Sequence, residues 1–332
     1  MSSRTPQGFT HGLADLLRFN LPRNPMTGGV DQGESMQTAN VLSRIGFVGA
    51  GRVAQTLAAA FAQARHRVAA VHSRSDANLA QFHARCPEPI MAGSPQEVAE
   101  LSSLVFLTVS DDAIRPVCEE VSWAAGTAVV HCSGATEVSA LVSARQAGAL
   151  VGGFHPMQMF ANPDVALAGL PGCTVGIEAE EGLLATLESL AKSIGCVPLP
   201  LPAGIRPLYH ASAYYVGPFL IALLKEGAKL WAGFGASERQ SMAALIPLLR
   251  GTVAAVQDAG LAKGMGGCIA RGDMGTIQKH LASLEHVDSS AADLYRKLAL
   301  RNIPLALERG SIDPGRARQI ETLLDSTDKP VR

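Results

Sequence analysis

No segment of this sequence reaches the roughly 18 uninterrupted apolar residues that a membrane span needs. The closest approach, Ala211 to Leu224, is shorter and contains Ser212, Gly217 and Pro218. Nor does the chain open with a basic-then-apolar signal peptide. Six cysteines are scattered at positions 86, 118, 132, 173, 196 and 268, with no Cys-x-x-Cys pair and no ligand-like His/Cys spacing. They read as small buried hydrophobes in a reducing compartment. Neither a disulfide framework nor a zinc site is indicated, and no metal is expected. A surplus of basic residues is also missing: the formal net charge is −1, whereas a nucleic-acid binder normally shows a basic stripe. From these absences we expect a cytoplasmic protein with small-molecule partners, and neither nucleic acid nor membrane among them.

What is present is a soluble globular composition, 47% apolar and 17% charged, in 332 residues, long enough for two domains with substantial cores. Residues 44 to 58 organise the rest. The apolar run Ile45 to Val48 ends in Gly49-x-Gly51-x-x-Ala54 and gives way to a helical pattern with Val53, Leu57 and Phe61 on one face. That strand–turn–helix context is what a dinucleotide-binding fingerprint requires. Gly49 permits the tight turn, Gly51 lets backbone approach a pyrophosphate, and the small Ala54 lets the helix pack closely on the strand. Residues Gly49, Ala50, Gly51, Arg52 and Val53, at the positive end of the helix, are therefore expected to hold the phosphates.

The cofactor type is read at the end of the second strand, 67–72. A site that prefers NAD usually places an acidic residue there, about 20 residues beyond the glycines, to bind the ribose hydroxyls. Here the segment is Val71-His72-Ser73-Arg74-Ser75, with no acid. Arg74 can pair with a 2′-phosphate, and Ser73 and Ser75 can donate to it. This pattern favours NADP (NADPH).

Further along, Ser94-Pro95-Gln96-Glu97 carries a helix start. The run Leu104 to Val109 reads as a central parallel strand emptying into Ser110-Asp111-Asp112, which places Val109 and Ser110 where open α/β sheets bind ligands. Strands are expected over 127–131, 149–153, 173–177 and 196–199, with a helix over 180–194. Pro198, Pro200 and Pro202 then read as a stiff linker, and only helical periodicities follow. The chain thus divides into a flexible extension over residues 1–42, in which Met36 offers a second start, a nucleotide-binding domain over 43–202 and a helical domain over 203–326. The fold class is α/β: a Rossmann doubly wound, mainly parallel sheet followed by an all-α domain.

The segments Gly46-Phe-Val-Gly-Ala-Gly-Arg-Val, His131-Cys-Ser-Gly-Ala, Gly153-Phe-His-Pro-Met-Gln-Met-Phe, Tyr209-His-Ala-Ser-Ala and Ile269-Ala-Arg-Gly-Asp occur in that order. In them the chain resembles the oxidoreductases that join a Rossmann-like domain to a helical domain of unknown function 2520, within the 6-phosphogluconate/β-hydroxyacid dehydrogenase superfamily. The resemblance implies an NADP-type cofactor, a helical dimerisation domain, hence a homodimer, and a cleft between the domains. It implies no particular substrate. Gly217-Pro218 stands where that family suggests a Ser-Asn pair, and Gly267-Cys268 where it suggests Gly-Pro.

Three residues are candidates for chemistry. His155, fixed by Pro156 after a strand, can deliver the proton that hydride transfer to a carbonyl or imine requires, or can simply be bonded to backbone. Its His-Pro-Met context is similar to that of prephenate dehydrogenases. Ser133 either donates to substrate or nicotinamide, or caps the turn before Thr136. His210 lies in the helix that supplies a catalytic lysine elsewhere in the superfamily; the first lysine here is Lys225, so His210 takes that acid/base role or makes a domain-interface hydrogen bond. Arg206, one turn earlier, and Arg271 are candidates for binding an anionic substrate group, Arg271 from a second subunit. The expected function is an NADP(H)-dependent oxidoreductase acting on a small carbonyl, imine or hydroxy acid. The alternative is a catalytically degenerate NADP-binding regulator or scaffold.

Overall fold

The computed structural model of the chain describes residues 43–325; the expected extension over 1–42 lies outside them. The chain divides into two compact units between Gly204 and Ile205.

The first unit is built on one eight-stranded sheet of order β3-β2-β1-β4-β5-β6-β7-β8. Its strands are β1 (Arg44–Val48), β2 (Arg67–His72), β3 (Ile90–Met91), β4 (Leu104–Leu107), β5 (Ala128–His131), β6 (Leu150–Pro156), β7 (Thr174–Ala179) and β8 (Val197–Pro200). Its helices are α1 (Arg52–Gln63), α2 (Asp76–Arg85), α3 (Pro95–Leu101), α4 (Asp111–Glu120), α5 (Val142–Gln146), α6 (Pro163–Ala168) and α7 (Glu181–Ser193). Strands β1 to β6 run parallel, and β7 pairs antiparallel with β6. The order turns outward in both directions from the β1–β4 pair, which makes that pair the topological switch point where such sheets bind ligands.

Alternate residues of the central strands feed two cores. Phe47, Phe106 and Phe154 share one layer with Phe61 of α1, at centroid separations of 5.4 Å (Phe47–Phe106) and 5.5 Å (Phe106–Phe154). Val105, Leu107, Val129 and Val151 point to the other layer with Ile114 of α4. Each such side chain removed from water contributes about 1.5–3 kcal/mol.

Two expectations change. Strand β6 does not stop at residue 153: its antiparallel pairing with β7 matches His155 with Gly176 and Pro156 with Val175. His155 therefore belongs to the strand and is not in the loop after it. The last strand, expected over 196–199, runs through Pro200: this proline, read as linker, lies with Pro198 in β8, an edge strand, where a missing N–H costs no ladder bond.

The second unit is helical: α8 (Arg206–Val216), α9 (Pro218–Ala232), α10 (Glu238–Gly264), α11 (Gly267–Arg271), α12 (Met274–Val287), α13 (Ser289–Arg309) and α14 (Pro314–Asp325). The periodicity over 205–233 becomes two helices because Gly217 leaves helical geometry (φ −100°, ψ −98°) and Pro218 begins the next. Ser237 starts α10 with a capping box closed by Gln240, and Gly260 (φ 79°, ψ 175°) interrupts it. Ile269, Ile277, Leu281, Ile303 and Ile320 form the core of α11 to α14. In α8 and α9 the apolar residues Leu208, Tyr215, Val216, Phe219 and Ile221 are exposed. Among the described residues no helix is long and apolar enough to cross a membrane.

Candidate functional site

The carboxyl ends of β1, β2 and β4 converge on a cavity of about 1040 Å³. Its floor is the first turn. Gly49 holds φ +101°, and a Cβ there would stand 2.6 Å from the Thr108 carbonyl oxygen, so only glycine fits. At Gly51 the opposite holds: an added Cβ would meet no atom within 4 Å, because the residue faces open space. Gly51 is also the N-cap of α1, with no side-chain cap and no acidic residue in the first turn. The helix thus begins with uncapped amides and an uncompensated dipole beside a cavity, which suits an anion.

The far end of the cavity is the turn after β2. His72, Ser73, Arg74, Ser75 and Asn78 line it, and among the described residues no carboxylate pairs with Arg74. Ser73 Oγ accepts the Ser75 N–H (3.2 Å), and Ser75 Oγ accepts the Asn78 N–H (3.3 Å) as the cap of α2. Each serine uses its oxygen and keeps its hydroxyl proton to donate. The Nδ1 of His72 bonds to the Ala92 carbonyl (3.0 Å), which fixes its tautomer as Nδ1–H if the ring is neutral.

Of the residues expected to hold a cofactor, Gly49, Ala50, Gly51, Ser73, Arg74, Ser75, Val109 and Ser110 line this one cavity. Arg52 and Val53 do not line it. Arg52 donates to the Ala161 carbonyl (3.1 Å), and Val53 packs against the core. Sequence reasoning missed Asn78, Gly93, Ser94, Thr108 and Pro116, which share the cavity. The available signal was position: Gly93-Ser94 and Thr108 both follow strands at the ligand-binding edge. Asp111 and Asp112 open α4 without a cap bond from Ser110.

His155 is half-buried and stands two residues beyond Gly153, the last β6 residue matched to β5. It follows that His155 projects past the parallel ladder at the same edge as the Gly49 and Thr108 turns. Ser133 is buried; its Oγ accepts the amides of Ala135 (3.2 Å) and Thr136 (2.9 Å) and donates to the Thr136 hydroxyl (2.9 Å), a turn cap with its bonding capacity committed. His131 is fully buried in β5. The thiols of Cys173 and Cys196 lie against each other near the Met157 backbone; their mutual hydrogen bond holds Cys173 below the usual thiol range and Cys196 above it.

Two family profiles match the sequence: a Rossmann-like domain over residues 26–156 and the domain of unknown function DUF2520 over residues 173–302. The chain joins a Rossmann-like domain to a DUF2520 domain. The DUF2520 match takes in β7, α7 and β8 as well as helices, so the junction between the two families falls where the sheet reverses direction. No curated protein matches the sequence. Solved structures of the same fold include a Bacteroides fragilis protein named as an NADP oxidoreductase, at 20% identity and TM-score 0.64, covering 79% of this chain and 98% of that one. Reductive aminase from Aspergillus terreus, solved with NADPH and ethyl levulinate, gives 17% identity and TM-score 0.57 over 85% and 98%. Imine reductase from Pseudomonas sp. gives 18% and 0.55 over 84% and 99%.

The remaining candidates lie in the DUF2520 helices. Arg206 opens α8 and is fully buried. His210, one turn on, is half-buried with its ring edge-on to Tyr214 at 5.5 Å. Arg271 ends α11 and is exposed, while Asp273 caps α12 through the Thr276 amide (3.0 Å). Among the described residues no group of three His, Cys, Asp or Glu side chains could hold a metal ion.

Proposed function

We propose that the chain is an NADP(H)-dependent oxidoreductase that transfers hydride to or from a small carbonyl, imine or hydroxy acid. The observation that carries this reading is a single cavity joining an uncapped helix start to an arginine that has no carboxylate partner among the described residues. The first suits a pyrophosphate and the second a 2′-phosphate, and the acid that would favour NAD is missing from the β2 end. The fold is shared with proteins named as NADP oxidoreductase, imine reductase and reductive aminase, which supports the same class.

In this reading the Gly49–Gly51 turn and the first turn of α1 hold the pyrophosphate. Arg74 pairs with the 2′-phosphate, and Ser73 and Ser75 donate their hydroxyl protons to it. The bound cofactor supplies the hydride. His155 holds the proton that the substrate heteroatom gains or loses, a task for which imidazole titrates in the right range. Ser133 keeps the turn after β5 closed. The exposed apolar faces of α8 and α9 are covered by a second copy of the chain.

A second reading, a nucleotide-binding regulator without turnover, is favoured by the break at Gly217–Pro218 and by the absence of a lysine before Lys225 in these helices. Following NADPH absorbance across ketoacids, imines and hydroxy acids separates the two. Turnover of any supports the oxidoreductase, and tight cofactor binding with none turned over supports the regulator.

A further inference from the structure

A second cavity, of about 410 Å³, lies wholly within the helical unit and plays no part in the reading above. It is bordered by Arg271 at the end of α11, Arg309 at the end of α13, the Gly266–Gly267 turn and Ser311. We propose that it is an oxyanion-binding site, taking the carboxylate or phosphate group of a small molecule between the two guanidinium groups.

Arg309 is held in place. Its Nη1 donates to the carbonyl oxygens of both Lys263 (3.0 Å) and Met265, which fixes the plane of the guanidinium. Its Nη2 and Nε donate to nothing among the described residues, so a fixed donor pair remains. Arg271 makes no ion pair among the described residues. Of the nearest acids in sequence, Asp273 and Asp313 are engaged at helix starts, and Asp273 also attracts the Arg271 cation. Asp273 binds the amide and the hydroxyl of Thr276 (3.0 and 2.7 Å), and Asp313 caps α14 through the Arg316 amide (2.8 Å). Glu308 is exposed beside Arg309 and forms no bridge to it.

Two further basic residues neighbour Arg271 and Arg309. The stem of Arg316 lies across Gly272, with its Cγ 2.9 Å from where a Cβ on that residue would stand, and Lys263 ends the neighbouring stretch of α10. Small residues border the cavity beside Arg271 and Arg309: a Cβ on Gly266 or Gly267 would meet nothing within 4 Å. Two arginines bordering one space, one of them held in a fixed plane, match the planar oxygens of a carboxylate or phosphate.

The test is calorimetric titration of the full chain, saturated with NADPH so that the Arg74 site is filled, with inorganic phosphate in one arm and malonate in the other at constant ionic strength. One anion per chain is expected to bind. Arg271→Ala should weaken binding about tenfold or more, the loss typical of a charge-assisted bidentate contact. Arg271→Lys should recover part of it, and Arg74→Ala should leave it unchanged. Binding of phosphate alone, malonate alone or both upholds the site and names the group it takes. No saturable binding of either anion, or equal binding by wild type and Arg271→Ala, overturns it. Arg309→Lys serves as a second variant, because Arg309 also anchors two carbonyls; circular dichroism must first show it folded. If the chain takes no NADPH, the same titration on Arg74→Ala keeps the failure of that reading apart from failure of this one.

Discussion

The hydroxyl of Thr108 donates to the carbonyl oxygen of Gly49 at 2.8 Å, clasping the first βα turn to the end of β4. The same residue's own carbonyl oxygen closes off the space where residue 49 would carry a Cβ. The turn is thus held from one side and limited from the other by a single neighbour 59 positions away in sequence.

Gly49→Ala is therefore expected to be destabilising on two counts. Alanine at this positive φ costs about 1–3 kcal/mol, and the methyl would collide with the Thr108 carbonyl. The melting temperature should fall and nucleotide affinity with it. Gly51→Ala should fold normally, since its Cβ meets open space, yet lose cofactor affinity because that space is where the pyrophosphate would lie. Equal nucleotide binding by Gly51→Ala and wild type would remove the pyrophosphate from this turn.

Arg74→Ala should weaken NADPH binding by about 1.5–3 kcal/mol, the value of hydrogen bonds to a charged group, and leave NADH binding nearly unchanged. Calorimetry with both nucleotides decides it. Wild-type protein that holds NADH as tightly as NADPH would contradict the argument from Ser73-Arg74-Ser75.

His155→Asn should retain NADPH binding while turnover of an identified substrate falls about 10²–10⁴-fold, the usual contribution of a positioned general acid. The pH profile should lose one limb. His210→Asn gives the comparison: a change confined to KM marks a substrate binder, and one in kcat an acid/base group. Normal turnover by His155→Asn would move the proton to another group.

Much of this organisation is legible locally. Ser94-Pro95-Gln96-Glu97 predicts a capped helix start, and Ser94 Oγ does accept the Glu97 amide. The Gly49–Gly51 turn is legible for the same reason: its geometry is decided by its own residues. What could not be read depends on pairing between distant segments. Nothing near His155 says that β7 will return antiparallel and draw it into a strand. Thr108, Gly93 and Asn78 meet Arg74 only because the sheet order brings three turns together. The Arg271–Arg309 pair likewise needs α13 to end beside α11, which no spacing announces.

Asp273 offers a pH test. Hydrogen bonds from the Thr276 hydroxyl and amide hold its carboxyl below the usual range. A folded-state pKa below the unfolded one gives stabilisation that is complete above the ordinary Asp range, about 3.9, and lost as pH falls through the lower folded value. Asp273→Asn keeps an acceptor at the helix start, so its thermal stability should decline less than that of wild type between about pH 5 and pH 2. Parallel declines would assign the acid sensitivity to other carboxylates.

The exposed Leu208, Tyr215, Val216 and Ile221 lead to an expected homodimer through residues beyond 205. Light scattering at micromolar concentration should show twice the 34.6 kDa chain mass. Changing Ile221 and Val216 to Asp together should shift the species to monomer.

The prolines of β8 have a consequence for how copies of the chain can meet. Val197 and Leu201 turn their amides inward to the carbonyls of Cys173 and Ile177 (2.9 and 2.6 Å), so the alternating positions 198 and 200 turn theirs outward. Both are proline. A foreign strand laid along this margin would find carbonyl acceptors and none of the N–H donors needed to zip up beside them. The opposite margin, β3, is two residues long and offers too little backbone to template anything. The sheet is thereby sealed at both flanks against runaway strand addition.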